Sequence, residues 1–482
     1  MSSFDRDGLI YDWNRVHEGG DPRPVELMFV DETLRDGPAI ERSLRLAARE
    51  ARAGRALLVV SAQEGVTALL GRAVEAALRG DLEPWDALRV RHRSVLAQLQ
   101  LESDLLDRHL FELRAILQEL KSSARADRRM RDYVLSFGER MSARVVAAAL
   151  RRSGHSATPL DAYDLGLTTA SRQGEGALLC APAPGLRATL SSVPGIPVVT
   201  GFLALDATGH LTTLGPNGSD LTAVWFGEAA GAEEVVLWKT VAGLMTADPD
   251  VVHDARCIPV LGRDEAVEFA VHGAEVLHAG ALEPAERADL VVRIADVADP
   301  DAPGSRIEAR SPAAGPLGLA HRSALGIYHE TLSLGRDQGA QLAELLARLA
   351  EAGLESYRIA FAGREVQILV PDDERCAAVV AARAPRARWT RGLASFAIVG
   401  DGVGADEALR ARVRELAREA GVSVDPAPGG KSASSQVYLT PAAALVRALT
   451  SVHAGLFGAR TDERVPESPP GARTGTREPN AV

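Results

Sequence analysis

Apolar positions along the first half of the chain fall into two alternating textures. Val25 to Val30 is a short apolar strand candidate, and Ala56 to Ala62 is a second, apolar nearly throughout as a strand buried on both faces would be. Between them Leu44 to Ala53 carries helical spacing, so this stretch predicts a β-α-β opening. From Pro84 to Leu120, leucines at 96, 99, 101, 105, 106, 110, 113 and 117 recur at three- and four-residue intervals, predicting a helical hairpin packed on the core. Asp132 to Arg152 predicts another helix. Val198–Phe202 and Glu234–Trp238 then predict strands, with a glycine-rich turn and the helix Leu221–Ala230 between them. Strands alternating with helices imply a mostly parallel sheet covered on both faces, an α/β architecture.

After Ala302-Pro303-Gly304 the texture changes. Two shorter units follow, each reading strand, turn, helix, strand, strand. The first comprises Leu325–Thr331, Gln341–Ala352 and Ser356–Val370; the second comprises Ser395–Val399, Asp406–Gly421 and Gln436–Leu439. This is an internal repeat of a small α+β module. The expected division is an extension at 1–21, a catalytic-type domain at 22–310, modules at 318–388 and 389–459, and a disordered tail rich in Pro, Gly, Thr and charge at 460–482.

At 482 residues the chain is long enough for two or three domains. No apolar run approaches the ~18 residues of a membrane span. The first ten residues lack the basic start and apolar core of a secretory signal, so a cytoplasmic location is expected. A formal net charge of −11 argues against nucleic-acid partners and for small ligands. Cys180, Cys257 and Cys376 stand singly in apolar surroundings, which suits buried thiols and neither a disulfide nor a metal site. The only lysines are Lys121, Lys239 and Lys431, so the neutral drift in this chain runs from lysine to arginine.

Two segments point to chemistry. Thr213 to Asp220 is a small-residue loop running into a helix, where unpaired N–H groups and the helix dipole favour an anion. Ser136 to Arg140 also opens a helix, with Glu139 placed to receive an ammonium group. Either carboxylate, Asp220 or Glu139, suits a helix cap equally well on preference alone.

Several long motifs, in order, resemble the aspartokinase family. They are Val60-Ser61-Ala62-Gln63-Glu64-Gly65-Val66-Thr67, Arg131 to Arg140 with its Ser136-Phe137-Gly138-Glu139 core, and Val199-Thr200-Gly201-Phe202. Thr212 to Asp220, Trp238-Lys239 and Thr246-Ala247-Asp248-Pro249 continue the series. The resemblance implies an amino-acid-kinase three-layer αβα sandwich followed by two ferredoxin-like α+β ACT modules. It also implies a reaction, transfer of the γ-phosphoryl of ATP, with Mg²⁺, to the side chain of aspartate, at the head of lysine, threonine and methionine synthesis. On this resemblance Asp220 matches the catalytic aspartate. Ser61, Thr67, Glu139 and Ser219 match substrate-binding positions, and Gly215, Gly218, Lys239 and Asp248 nucleotide-binding ones. The ACT modules would bind an amino-acid effector and join copies as a homodimer, or as a hetero-oligomer with an active aspartokinase.

The chain departs from the family where phosphate is handled. The family's Lys-Phe-Gly-Gly-Thr-Ser corresponds to Met28-Phe29-Val30-Asp31-Glu32-Thr33, replacing a cation by a thioether and adding carboxylates at Asp31 and Glu32. The substrate-gripping arginine of Gly-Arg-Gly-Gly-Ser-Asp is Pro216, and Asn217 replaces the next glycine. Asp250 replaces an arginine after Asp248-Pro249, and Glu275 a lysine in Gly273-Ala274-Glu275-Val276-Leu277-His278. Lysine-to-arginine drift explains none of these. Phosphoryl transfer rests on positioning and charge neutralisation, so activity is expected to be weakened or lost. The alternatives are a regulatory partner that senses an amino acid, or a kinase for another carboxylic acid. Asp31 to Gly37 also resembles the opening metal-binding strand of isopropylmalate-synthase-like barrels, but the sequence lacks that family's His-X-His pair.

Overall fold

A computed structural model describes residues 25–28, 34–53, 55–169, 179–274, 276–312, 314–333, 337–383, 386–429 and 432–458. The chain divides into two compact units, one of residues 1–243 and 277–309, the other of residues 244–276 and 310–482.

In the first unit β1 (Val25–Met28), α1 (Gly37–Ala53) and β2 (Arg55–Val60) form the expected opening, β1 and β2 pairing in parallel. Next come α2 (Val66–Leu78), α3 (Glu83–Gln98), α4 (Asp107–Ser123), α5 (Arg128–Leu135) and α6 (Phe137–Arg152). The leucine spacing is explained by burial: Leu96, Leu110, Leu113, Leu117 and Leu120 share one core cluster with Leu58 and Val60 of β2 and Val198 of the sheet. The helix expected over 132–152 is two helices. They meet at Ser136, whose hydroxyl turns back to donate to the Tyr133 carbonyl at 2.6 Å, a local bond that competes with a continuous helix.

The unit continues with β3 (Ala157–Leu160), α7 (Leu186–Ser192), β4 (Ile196–Thr200), the hairpin β5 (Leu203–Leu205) and β6 (Leu211–Thr213), α8 (Gly218–Ala230) and β7 (Glu234–Lys239). The chain then leaves for β8 (Val260–Gly262) and α9 (Arg263–Val271) of the second unit. It returns as α10 (Leu282–Arg287), β9 (Val291–Asp296) and β10 (Ser305–Glu308). Strands in the order β1-β2-β4-β3 are all parallel. β9 pairs in parallel with β7 and antiparallel with β10. With helices packed on this sheet, the unit is the α/β sandwich that the alternation predicts.

The second unit holds β11 (Gly315–Thr331), α11 (Gln338–Glu351), β12 (Arg358–Ala362), β13 (Glu365–Pro371), α12 (Glu374–Arg383), β14 (Ala387–Asp401), α13 (Glu407–Glu419), β15 (Asp425–Pro426), β16 (Ser435–Pro441) and α14 (Leu445–Phe457). These strands form one six-stranded antiparallel sheet, ordered β12-β13-β11-β14-β16-β15. β11 and β14 run through both ACT-like modules. Leu325–Thr331 pairs with β13, whereas residues 315–322 pair with the second half of β14, which β16 flanks on its other side. The register slips between Arg322 and Leu325, beside Ala324 with φ 51°. The strand completing the second module therefore precedes the first module in sequence. Each module keeps its own core, one around Tyr328, Leu345, Leu349 and Ile368, the other around Phe396, Val413, Tyr438 and Val452.

The cysteines differ in part from expectation. Cys376 is buried, and burial pushes its thiol up to about 11, but Cys180 and Cys257 are only half-buried because they sit on irregular segments between strands. Among the described helices none is long and apolar enough to cross a membrane.

Candidate active site

The C-terminal ends of β2, β4 and β7 bring five of the sequence-singled side chains together. This is where open parallel sheets place their ligands, since the loops leaving the strand ends bound a crevice. Ser61, just past β2, donates to or accepts from Ser219 in the first turn of α8, Oγ to Oγ, at 2.5 Å. Glu139, in the first turn of α6, is buried and accepts a hydrogen bond from the Ala62 N–H at 3.1 Å. Lys239, the last residue of β7, donates to Asp220 Oδ2 at 2.9 Å. Side-chain exposures of 8% for the lysine and 1% for the aspartate make this a buried ion pair. Asp220 Oδ1 is buried with no hydrogen-bond partner among the described residues.

Two glycines set how closely these elements approach. A Cβ on Gly138 would lie 2.7 Å from Ala62 Cβ, so only glycine lets α6 come close enough for Glu139 to reach the Ala62 amide. A Cβ on Gly201 would lie 2.6 Å from Ser219 Oγ, so the turn after β4 likewise admits no larger side chain beside the start of α8.

The loop before α8 turns through two left-handed residues. Gly215 has φ 78°, and Asn217, at a family glycine position, has φ 55°. Asparagine is among the few side chains that tolerate this left-handed region. Gly218 opens α8 and Ser219 is buried beside it. Pro216, between Gly215 and Asn217, carries no charge.

Supports not singled out by sequence lie around this core. The Thr212 and Thr213 hydroxyls donate to Asp132 at 3.3 and 3.0 Å, fastening β6 to α5, and burial raises the Asp132 carboxyl above its usual range despite these bonds. Phe202 has φ 64°, and its amide is held by Thr222 Oγ1 at 3.1 Å. His278 accepts from the Gly280 N–H at Nδ1 at 3.0 Å, which places its proton on Nε2. Burial lowers the His278 pKa, and the nearby charge of Asp220 acts against that fall. Its place in the Leu277-His278 motif was the available signal.

Thr67 is the second residue of α2 and half-buried. Asp248 and Asp250 belong to the second unit, where Asp248 Oδ1 accepts from the Asp250 amide at 2.9 Å. Asp31, Glu32 and Glu275 lie outside the described residues, and for Met28 only the backbone, in β1, is described.

The sequence matches the amino acid kinase family across residues 31–296. The chain belongs to the amino acid kinase family. Aspartokinases are among its relatives. It is 35% identical over 264 residues to Aspartokinase 2, chloroplastic, of Arabidopsis thaliana, covering 52% of this chain and 48% of that protein. The chain thus matches about half the length of that relative. The structure of E. coli aspartokinase III in complex with aspartate and ADP (R-state) matches with TM-score 0.78 and 25% identity, over 90% of this chain and 100% of that one. Its complex with lysine and aspartate (T-state) matches with TM-score 0.71 and 26% identity, over 90% and 99%. These likenesses account for the αβα unit and for the paired ACT-like modules of this family member.

Proposed function

We propose that this chain is a regulatory aspartokinase-family protein. It senses an amino acid through its ACT-like modules, and its phosphoryl transfer from ATP to aspartate is weakened or lost. The observation that carries this reading is the state of charge at the strand ends. Lys239 is committed to Asp220 at 2.9 Å, and the position that should grip the substrate carboxylate is Pro216. Losing one preorganised donor costs about 100–1,000-fold in rate, so losses at 28, 216 and 275 together leave little catalysis. The family uses ATP with Mg²⁺, and this site fits that group in part. The buried Asp220 Oδ1, without a partner among the described residues, is an acceptor suited to a cation, and Gly215 leaves open space just before the start of α8. The partner in this reading is a second copy of the chain or an active aspartokinase, and the location is cytoplasmic.

Thermal denaturation of the full chain with single ligands tests this. A ligand at about 100 times its Kd stabilises by about 2.7 kcal/mol. Lysine or threonine alone is expected to raise the Tm. Protection by ATP·Mg and aspartate, with none by lysine or threonine, would oppose the sensor reading and favour a working kinase.

A further inference from the structure

The loop between β2 and α2 carries Ser61 and, through the Ala62 amide, holds Glu139. Its far half has few bonds of its own. Gln63 is 2% exposed, yet neither its amide nitrogen nor its amide oxygen has a partner among the described residues. Gly65, at the N-cap of α2 with φ 73°, has no side chain to close the turn, which is spanned by the Val66 N–H donating to the Gln63 carbonyl at 2.9 Å. A hold on this half comes from α3. Arg91 Nη2 donates to the Glu64 carbonyl at 2.5 Å and to the Arg35 carbonyl, just ahead of α1, at 3.3 Å.

The helix that supplies this hold is itself fixed, because Leu88, His92, Val95 and Leu96 bury its opposite side. Arg91, Ser94 and Gln98 follow one another at helical spacing and share one face. Gln98 Nε2 donates to Ser94 Oγ at 3.1 Å, and its Oε1 accepts from the N–H of Gly37, the first residue of α1, at 2.9 Å. A Cβ on Gly37 would lie 2.6 Å from Gln98 Cβ, so glycine lets α1 begin directly against α3. One face of one helix therefore holds the entries to both α1 and α2. Packing alone would be served by the aliphatic stem of Arg91. Its guanidinium instead joins two loop carbonyls through a single nitrogen, and charge-assisted bonds of this kind are the stronger ones.

We infer that Arg91 is a positioning residue for the loop of residues 61–67. By tying the Glu64 carbonyl to the Arg35 carbonyl it fixes where Ser61 and the Ala62 amide stand beside Ser219 and Glu139, and so sets the affinity of the site for aspartate. This rests on the substrate-side reading of that loop. It gives α3, which touches none of the candidate site side chains in a printed hydrogen bond, a defined part in shaping the site.

Amide hydrogen exchange and calorimetric titration with L-aspartate test it in the full chain, comparing wild type, Arg91→Met and Arg91→Lys. Methionine keeps an apolar stem and has no donor, whereas the lysine ammonium can still reach a carbonyl. Methionine is expected to speed exchange at the Ala62 and Val66 amides and to weaken aspartate binding, each by about tenfold, the scale of one hydrogen bond from a charged donor. Amides of α4 are expected to exchange as in the wild type. Lysine is expected to restore part of both losses. Unchanged loop exchange in Arg91→Met, equal speeding throughout α3 and α4, unchanged affinity where the wild type binds, or failure of lysine to differ from methionine overturns the positioning role. Absence of aspartate binding by the wild type overturns the substrate-side reading and the affinity role resting on it. The exchange comparison keeps the two failures distinct.

Discussion

Replacing Lys239 by methionine is expected to destabilise the first unit by about 3–5 kcal/mol, the cost of leaving a buried charge without its partner. Asp220 has no measurable exposure and Lys239 only 7%, so neither water nor salt screens the pair. Methionine keeps the volume of the lysine stem, so packing loss is small and the effect reports on charge. Against a total of about 5–15 kcal/mol for a domain, such a loss is large. The double variant Lys239→Met with Asp220→Asn is expected to recover most of it, because no unpaired charge then remains. Urea denaturation followed by tryptophan fluorescence reads this directly, with Trp85, Trp225 and Trp238 all in this unit. A shift below about 1 kcal/mol in the single variant would mean that the pair is solvated, as surface ion pairs are.

Acidification is expected to weaken the same unit through His92. This side chain is fully buried in α3, its Nδ1 donates to the Leu88 carbonyl at 2.8 Å, and its Nε2 has no partner among the described residues. Burial is the main cause that lowers its pKa from 6.5 to about 4. The folded state therefore binds this proton less readily than the unfolded state. At pH above 6.5 neither state is protonated and there is no cost. As pH falls from there to about 4 the unfolded state gains a proton alone, and about 3 kcal/mol of stability is lost. His109 is lowered to about 4 as well, by burial and then by Arg144 and Arg140, and adds in the same direction. Urea midpoints at pH 7.5 and pH 4.5 (chosen about 1 unit above and 2 below the free value) should differ less in His92→Leu than in the wild type. An equal acid loss in both would place the sensitivity elsewhere.

The placement of five candidate side chains was legible because their sequence signals are local. Ser61, Glu139, Ser219, Asp220 and Lys239 each sit at a strand end or helix start, where sequence signals are strongest, and the first unit brings them together. The α3–α4 hairpin was legible for a similar reason, since one apolar face at helical spacing needs only one buried side. What sequence left hidden depends on distant pairing. Nothing near residues 315–322 signals that they pair with β14 instead of continuing the first module. Nothing near Glu64 signals Arg91, 27 positions on. The break at Ser136 was hidden too, because a single hydroxyl bond to Tyr133 decides it.

The most direct measurement is transfer from ATP·Mg to aspartate, with the acyl phosphate trapped by hydroxylamine, in the wild type and in Asp220→Ala. On the proposed reading, with Lys239 held on Asp220 and no charge at Pro216, no hydroxamate above the Asp220→Ala background is expected from folded protein. Turnover in the wild type that Asp220→Ala abolishes would contradict this, and would establish a working aspartokinase with a rearranged phosphate site.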